Sequence, residues 1–121
     1  MSMEETELTL HFPCERPLKE SEKDELTSEL MSAFNSVGVS DVKVKDSYYV
    51  SELAAPGILE WVLRIIAGAS HVINIVKAVR NFLKRRKNIK EIYLETESFR
   101  MAVRGEMSDE EIIKIIREAR R

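Results

Sequence analysis

PGILEWVLRIIAGASHVINIVKAVRNFLKRRKN, residues 56–88, decides the fold. Pro56 suits the first turn of a helix, where its missing amide hydrogen has no intrahelical partner. The residues after it are apolar at nearly every helical position, which predicts one long helix over residues 56–86. A membrane span needs about 20 mainly apolar residues. Glu60, Arg64, His71, Asn74 and Lys77 interrupt the run, so the segment is not read as a span. On a helix, Glu60, Arg64, His71, Asn74, Asn81 and Lys84 fall close to one line, a narrow polar stripe, with Glu60 and Arg64 at ion-pair spacing.

A helix of that length is a rod of about 45 Å, whereas a domain of this size is about 35 Å across. Either the rod bends around Gly68-Ala69-Ser70, or another chain covers part of its apolar surface. The expected interface residues are Trp61, Ile65, Val72, Ile75, Val76, Val79 and Phe82, and the expected occupant is a second copy or a partner protein. The rod ends in Lys84, Arg85, Arg86 and Lys87, with Lys90 nearby. Cations at a helix C-terminus complement its dipole. The same cluster is also a candidate contact for phosphate or an acidic partner.

Outward from this segment the chain reads as alternating elements. Leu8, Leu10 and Phe12 alternate with Glu7, Thr9 and His11, a strand buried on one face. Leu26, Leu30, Ala33, Phe34 and Val37 recur at helical spacing, and Gly38 supplies the stop. Val42 and Val44 alternate with Lys43 and Lys45, and Tyr48, Tyr49 and Val50 extend that strand through an irregularity at Asp46 and Ser47. Residues 91–104 read as a hairpin, and Ser108 with Glu111 has capping-box spacing before a last helix burying Ile112, Ile113, Ile116 and Ala119. The expected fold is a two-layer α+β domain, βαβαββα, with a mixed four-stranded sheet covered by helices on one face and more polar on the other.

At 121 residues this is a single-domain length, with residues 1–4 expected to be disordered. A net charge of −2 argues against a surface committed wholly to nucleic acid. One cysteine, Cys14, cannot form an intrachain disulfide, and MSMEETEL has no basic flank followed by an apolar run, so a cytoplasmic location is expected.

The inventory offers little chemistry, and no catalytic residue, cofactor site or metal site is expected. His11 and Cys14 are two zinc-type ligands without the further two that a structural site needs. Ser70 and His71 are helix neighbours that point apart. Gly38, Gly57, Gly68 and Gly105 match no phosphate-binding loop. A nucleic-acid platform on the polar sheet face would use Tyr49 and Tyr93 for stacking, but Glu7, Glu91 and Glu95 opposite Lys43, Lys45, Arg100 and Arg104 read instead as cross-strand ion pairs.

Pro56-Gly57 opening an apolar helix, the small residues Ala67-Gly68-Ala69-Ser70, and Phe82-Leu83 before Lys84-Arg85-Arg86 form a recognisable layout with IKEIYLETESFRMAVRGEMSDEEIIKII. Over about residues 50–116 this layout resembles the effector-associated constant component family. Those are small prokaryotic proteins encoded beside protease and other effectors of conflict and immunity systems. The resemblance implies a non-enzymatic adaptor and carries over no catalytic residue. The alternative from another class is a small nucleic-acid or nucleotide-binding regulator that uses the basic end of the long helix.

Overall fold

The computed structural model describes residues 4–51 and 59–119. In chain order these form β1 (Glu5–Cys14), α1 (Glu20–Ser36), β2 (Lys43–Ser51), β3 (Leu59–Gly68), α2 (Val72–Arg85), β4 (Glu91–Glu95), β5 (Arg100–Arg104) and α3 (Asp109–Ala119). A 3-10 turn, Ala69–His71, joins β3 to α2. The helix start expected at Pro56 and residues 1–3 of the disorder expected at residues 1–4 lie outside the described residues; Glu4 is described, and its carbonyl accepts from the Ala69 amide at 2.9 Å.

The single long helix is not what forms. Its first half is β3, a central strand. The Glu60 and Arg64 spacing did not separate the two readings, because residues four apart share a face at both the helical and the strand period. Trp61 and Ile65 are likewise four apart. In β3, Trp61, Leu63, Ile65 and Ala67 turn to the core, while Glu60, Val62, Arg64 and Ile66 take the other face. Branched and aromatic side chains suit that pleated environment. The length conflict disappears, since α2 alone is 14 residues, about 21 Å. The expected turning point was well placed: β3 stops at Gly68, where a Cβ would meet Asp41 Oδ2 and His71 Cδ2 at 3.2 Å.

The sheet therefore has five strands in the order β2-β3-β1-β4-β5, and every hydrogen-bonded pair is antiparallel. This corrects the expected mixed sheet of four. Both strand-helix-strand crossovers are present, β1-α1-β2 and β3-α2-β4, but each leaves a gap of one strand that another fills. Such a split βαβ arrangement over β1 to β4 is the ferredoxin-like topology, extended at one edge by β5 and α3.

Other local readings match the structure. Gly38 has φ +83° just after α1, the left-handed conformation that glycine adopts without penalty. Pairing of β2 with β3 slips between Val44 and Asp46, a bulge beside the expected irregularity. The Glu111 amide donates to Ser108 Oγ at 3.1 Å and the Ser108 amide donates to Glu111 Oε1 at 3.3 Å, which closes the capping box.

The three helices cover one sheet face, with α2 against both α1 and α3. Leu8, Leu10 and Phe12 of β1, Trp61, Leu63 and Ile65 of β3, and Ile92 and Leu94 of β4 form the sheet side of the core. Leu30 and Phe34 of α1, Ile75 and Val79 of α2, and Ile112 and Ile116 of α3 close it from above.

Candidate partner-binding surfaces

The seven apolar residues expected to meet a partner are all in the core. Trp61, Ile65, Val72, Ile75, Val76, Val79 and Phe82 are each at most 3% exposed. Two lie on β3 and five on α2, and the sheet plus α1 and α3 covers them. They hold this domain together and present no surface.

The open sheet face is a lattice of charges and rings. Glu60 does not pair with Arg64. Arg64 instead bonds Asp46 across β3 and β2, approaches Glu7 Oε1 at 3.4 Å, and lies over the Tyr48 ring at 5.4 Å. The Asp46 bonds hold the guanidinium well above its ordinary pKa. Lys45 reaches Glu7 at 3.3 Å, Arg104 donates to Glu91 at 2.8 Å, and Arg100 stacks over Tyr93 at 5.3 Å. His11 stands at the centre, with Nδ1 3.6 Å from Glu60 Oε1 and Nε2 3.4 Å from Glu95 Oε1. Among the described residues Nδ1 is buried without a hydrogen-bond partner.

This arrangement bears on two sequence readings. Cys14 lies on the core side of β1, opposite His11, because the two positions differ by an odd number in a strand. The pair therefore cannot share one metal ion. Burial pushes the Cys14 thiol above its ordinary pKa, toward the unreactive form. Among the described residues no group of three or more His, Cys, Asp and Glu side chains is placed to hold a metal ion. Ser70 and His71 lie in the 3-10 turn, and His71 Nε2 is 4.0 Å from Asp41 Oδ1.

The stacking platform is also rearranged. Tyr49 is on the helix side of β2, where its hydroxyl accepts from the Leu18 amide at 2.9 Å and donates to the Leu18 carbonyl at 3.2 Å. Tyr48 and Tyr93 are the tyrosines of the open face, and each already carries an arginine. On the two central strands that face holds Thr9, His11, Val62 and Arg64, while Phe12 and Trp61 pack inside, 5.1 Å apart. An RNA-recognition sheet needs rings free for bases to stack on.

The basic cluster divides into three parts. Arg86 is committed to α1: its Nε donates to Glu29 Oε2 at 2.7 Å and its Nη2 to Glu25 Oε1 at 2.8 Å. Lys84 and Arg85 are exposed in the last turn of α2, where the dipole favours them. Lys87 and Lys90 are exposed beyond the helix end.

Sequence reasoning missed two features. Val44, Tyr48 and Val50, 43%, 43% and 38% exposed, are the exposed large hydrophobics among the described residues, and all three lie on the edge strand β2. The signal was there, since Tyr48, Tyr49 and Val50 put apolar groups on both sides of a strand rich in lysine. Arg80 is the other. Only 8% exposed, it donates to the Met107 carbonyl at 2.8 Å and to Asp109 Oδ1 at 2.6 Å.

No protein-family model and no curated protein matches the chain. Among solved structures, the de novo designed protein Foldit4 is similar at 17% identity and a TM-score of 0.48, over 79% of this chain and 99% of that one. Among the described residues no helix is long and apolar enough to cross a membrane.

Proposed function

We propose that this chain is a non-enzymatic adaptor that holds a partner protein, and that the partner adds a strand to the edge of β2, which is unpaired among the described residues. The observation that carries the reading is the concentration of exposed large hydrophobics on that edge. An unpaired edge offers a row of backbone donors and acceptors, and side chains of alternate parity supply selectivity. Lys43, Lys45 and the bulge after Val44 disturb pairing at one end, as edges do when indiscriminate association is suppressed. Ser47 to Ser51 remain regular, with Tyr48 and Val50 on the open face and Tyr49 anchored beneath.

The class of partner, an effector of a prokaryotic conflict system, is taken from the layout resemblance to effector-associated constant components, of which the turn of small residues at 67–70, the basic end of α2 and the hairpin with its capped helix remain once residues 59–68 form a strand. The interface thus moves from the buried residues of β3 and α2 to the exposed edge of the sheet. The nucleic-acid alternative has less support, since the open-face tyrosines are occupied by Arg64 and Arg100.

A photo-crosslinking residue at Val50, compared with one at exposed Lys114 of α3, tests the reading in the native cell. The expected result is one protein captured at Val50 alone, encoded beside this chain, and lost in Tyr48→Lys. Equal capture at both positions, or nucleic acid as the crosslinked species, would refute it.

A further inference from the structure

We infer that the region beyond the end of α2 is a second contact surface, shaped for an acidic protein segment that carries one apolar side chain. The inference rests on the adaptor reading and extends it to a site that the β2 edge does not include.

Helix electrostatics account for Lys84 and Arg85, and the ion pairs with Glu25 and Glu29 account for Arg86. Neither accounts for Lys87 and Lys90. They follow the C-cap at Arg86, outside the last helical turn, and among the described residues no carboxylate oxygen lies within 4.0 Å of either ammonium group. Both line an open concavity of about 480 Å³, whose apolar lining is Leu83, Ile89 and Gly105. Leu83 is 4% exposed and Ile89 is partly buried against the core, so the lining is firm. Arg104, Glu91 and Glu106 complete the wall.

The pairing within that wall selects the occupant. Arg104 is held by Glu91 at 2.8 Å, so that among the described residues Lys87 and Lys90 are the lining cations without an ion pair and Glu106 is the lining carboxylate without one. A continuous phosphate backbone would bring negative charge to Glu91 and Glu106 as well as to the lysines. A polypeptide places carboxylates at chosen positions, and its amide hydrogens can meet Glu106. Among the described residues no aromatic ring lines the concavity to stack a base, whereas Ile89, partly exposed above the nearly buried Leu83, offers an aliphatic contact. Two lysines at a rim contribute association rate and salt dependence, and the apolar contact contributes residence time.

The full-length chain is titrated into a labelled peptide of Asp and Glu residues around one Leu, and separately into labelled single-stranded DNA, with fluorescence anisotropy as readout. The expected result is peptide binding that weakens as salt is raised. Lys87→Glu with Lys90→Glu should lower it about tenfold or more, the scale of like-charge juxtaposition. Replacing the peptide leucine by serine should lower it further, and Arg100→Glu on the open face should leave it unchanged. Both lysines are exposed, so thermal melts of the variants should match the parent; Lys87→Gln with Lys90→Gln gives the same comparison without charge reversal. DNA bound more tightly than peptide, or peptide binding indifferent to both lysine pairs, overturns the inference. Such a failure leaves the Val50 crosslink untouched. Loss of that crosslink with peptide binding retained would instead sink the β2 edge alone.

Discussion

The guanidinium of Arg80 reaches across from α2 to the start of α3 and donates to Asp109 Oδ1 at 2.6 Å while holding the Met107 carbonyl at 2.8 Å. Arg80 is nearly buried, and Asp109 is half exposed. The two partners are therefore unequal. Truncating Arg80 strips a buried carbonyl of its donor and removes a long packed stem, whereas truncating Asp109 leaves an arginine with other bonds. Arg80→Ala should cost about 2 to 4 kcal/mol, measured by urea denaturation. Arg80→Met, which keeps the stem, should recover part of that loss.

The same contact sets a pH dependence. The hydrogen bond from Arg80 and then its charge hold the Asp109 carboxyl below the ordinary carboxylate range. A depressed folded pKa means that the contribution is complete above the unfolded value of about 4 and is lost as pH falls through the folded one. Asp109→Asn should therefore melt below the parent at neutral pH, and the two melting temperatures should converge in strong acid. A constant gap across the whole range would show that the contact is not ionic.

Gly105 and Gly38 give a contrast in backbone constraint. A Cβ on Gly105 would sit 3.2 Å from the Lys84 backbone nitrogen and 3.4 Å from the Leu83 carbonyl carbon. Helix α2 rests on it, so Gly105→Ala should cost about 1 to 3 kcal/mol by overpacking. Gly38 has open space around it but φ +83°. Gly38→Ala should cost about 1 kcal/mol through conformation, and Gly38→Asn less, because asparagine tolerates that region better. Equal losses from Gly38→Ala and Gly38→Asn would count against the conformational account.

Much of this fold was legible in the sequence, and the missing half of the long segment shows what limited the reading. Leu8, Leu10 and Phe12 alternate cleanly with polar neighbours, and β1 followed. Ser108 and Glu111 carried their cap in their spacing. In β3 the open-face position Val62 is apolar and fully buried among its neighbours, so the alternation is filled in and the run looks helical. Adjacency to α2 through a turn of small residues completed the illusion. The interface reading failed for the same reason: counting two elements as one helix produced more apolar surface than a helix could bury. Val44, Tyr48 and Val50 carried a local signal, apolar groups on both sides of a lysine-rich strand, but their place at an edge depends on strand order, in which β3 enters between β1 and β2.

Hydrogen exchange separates the two readings of residues 59–68 directly. As a strand, β3 is bonded on both sides, to β1 along its full length and to β2 from Leu59 to Ile66. Its amides at residues 61–66 should exchange in the slowest class, near the global unfolding limit, while those of β2 that face solvent exchange sooner. Backbone carbon shifts should have strand sign to Ala67 and helical sign from Val72. Deleting one residue within β3 should unfold the domain, since a slip of one would send Trp61, Leu63 and Ile65 to the open face. Helical shifts throughout residues 59–68 would restore the single helix and, with it, the partner interface on Trp61 and Ile65.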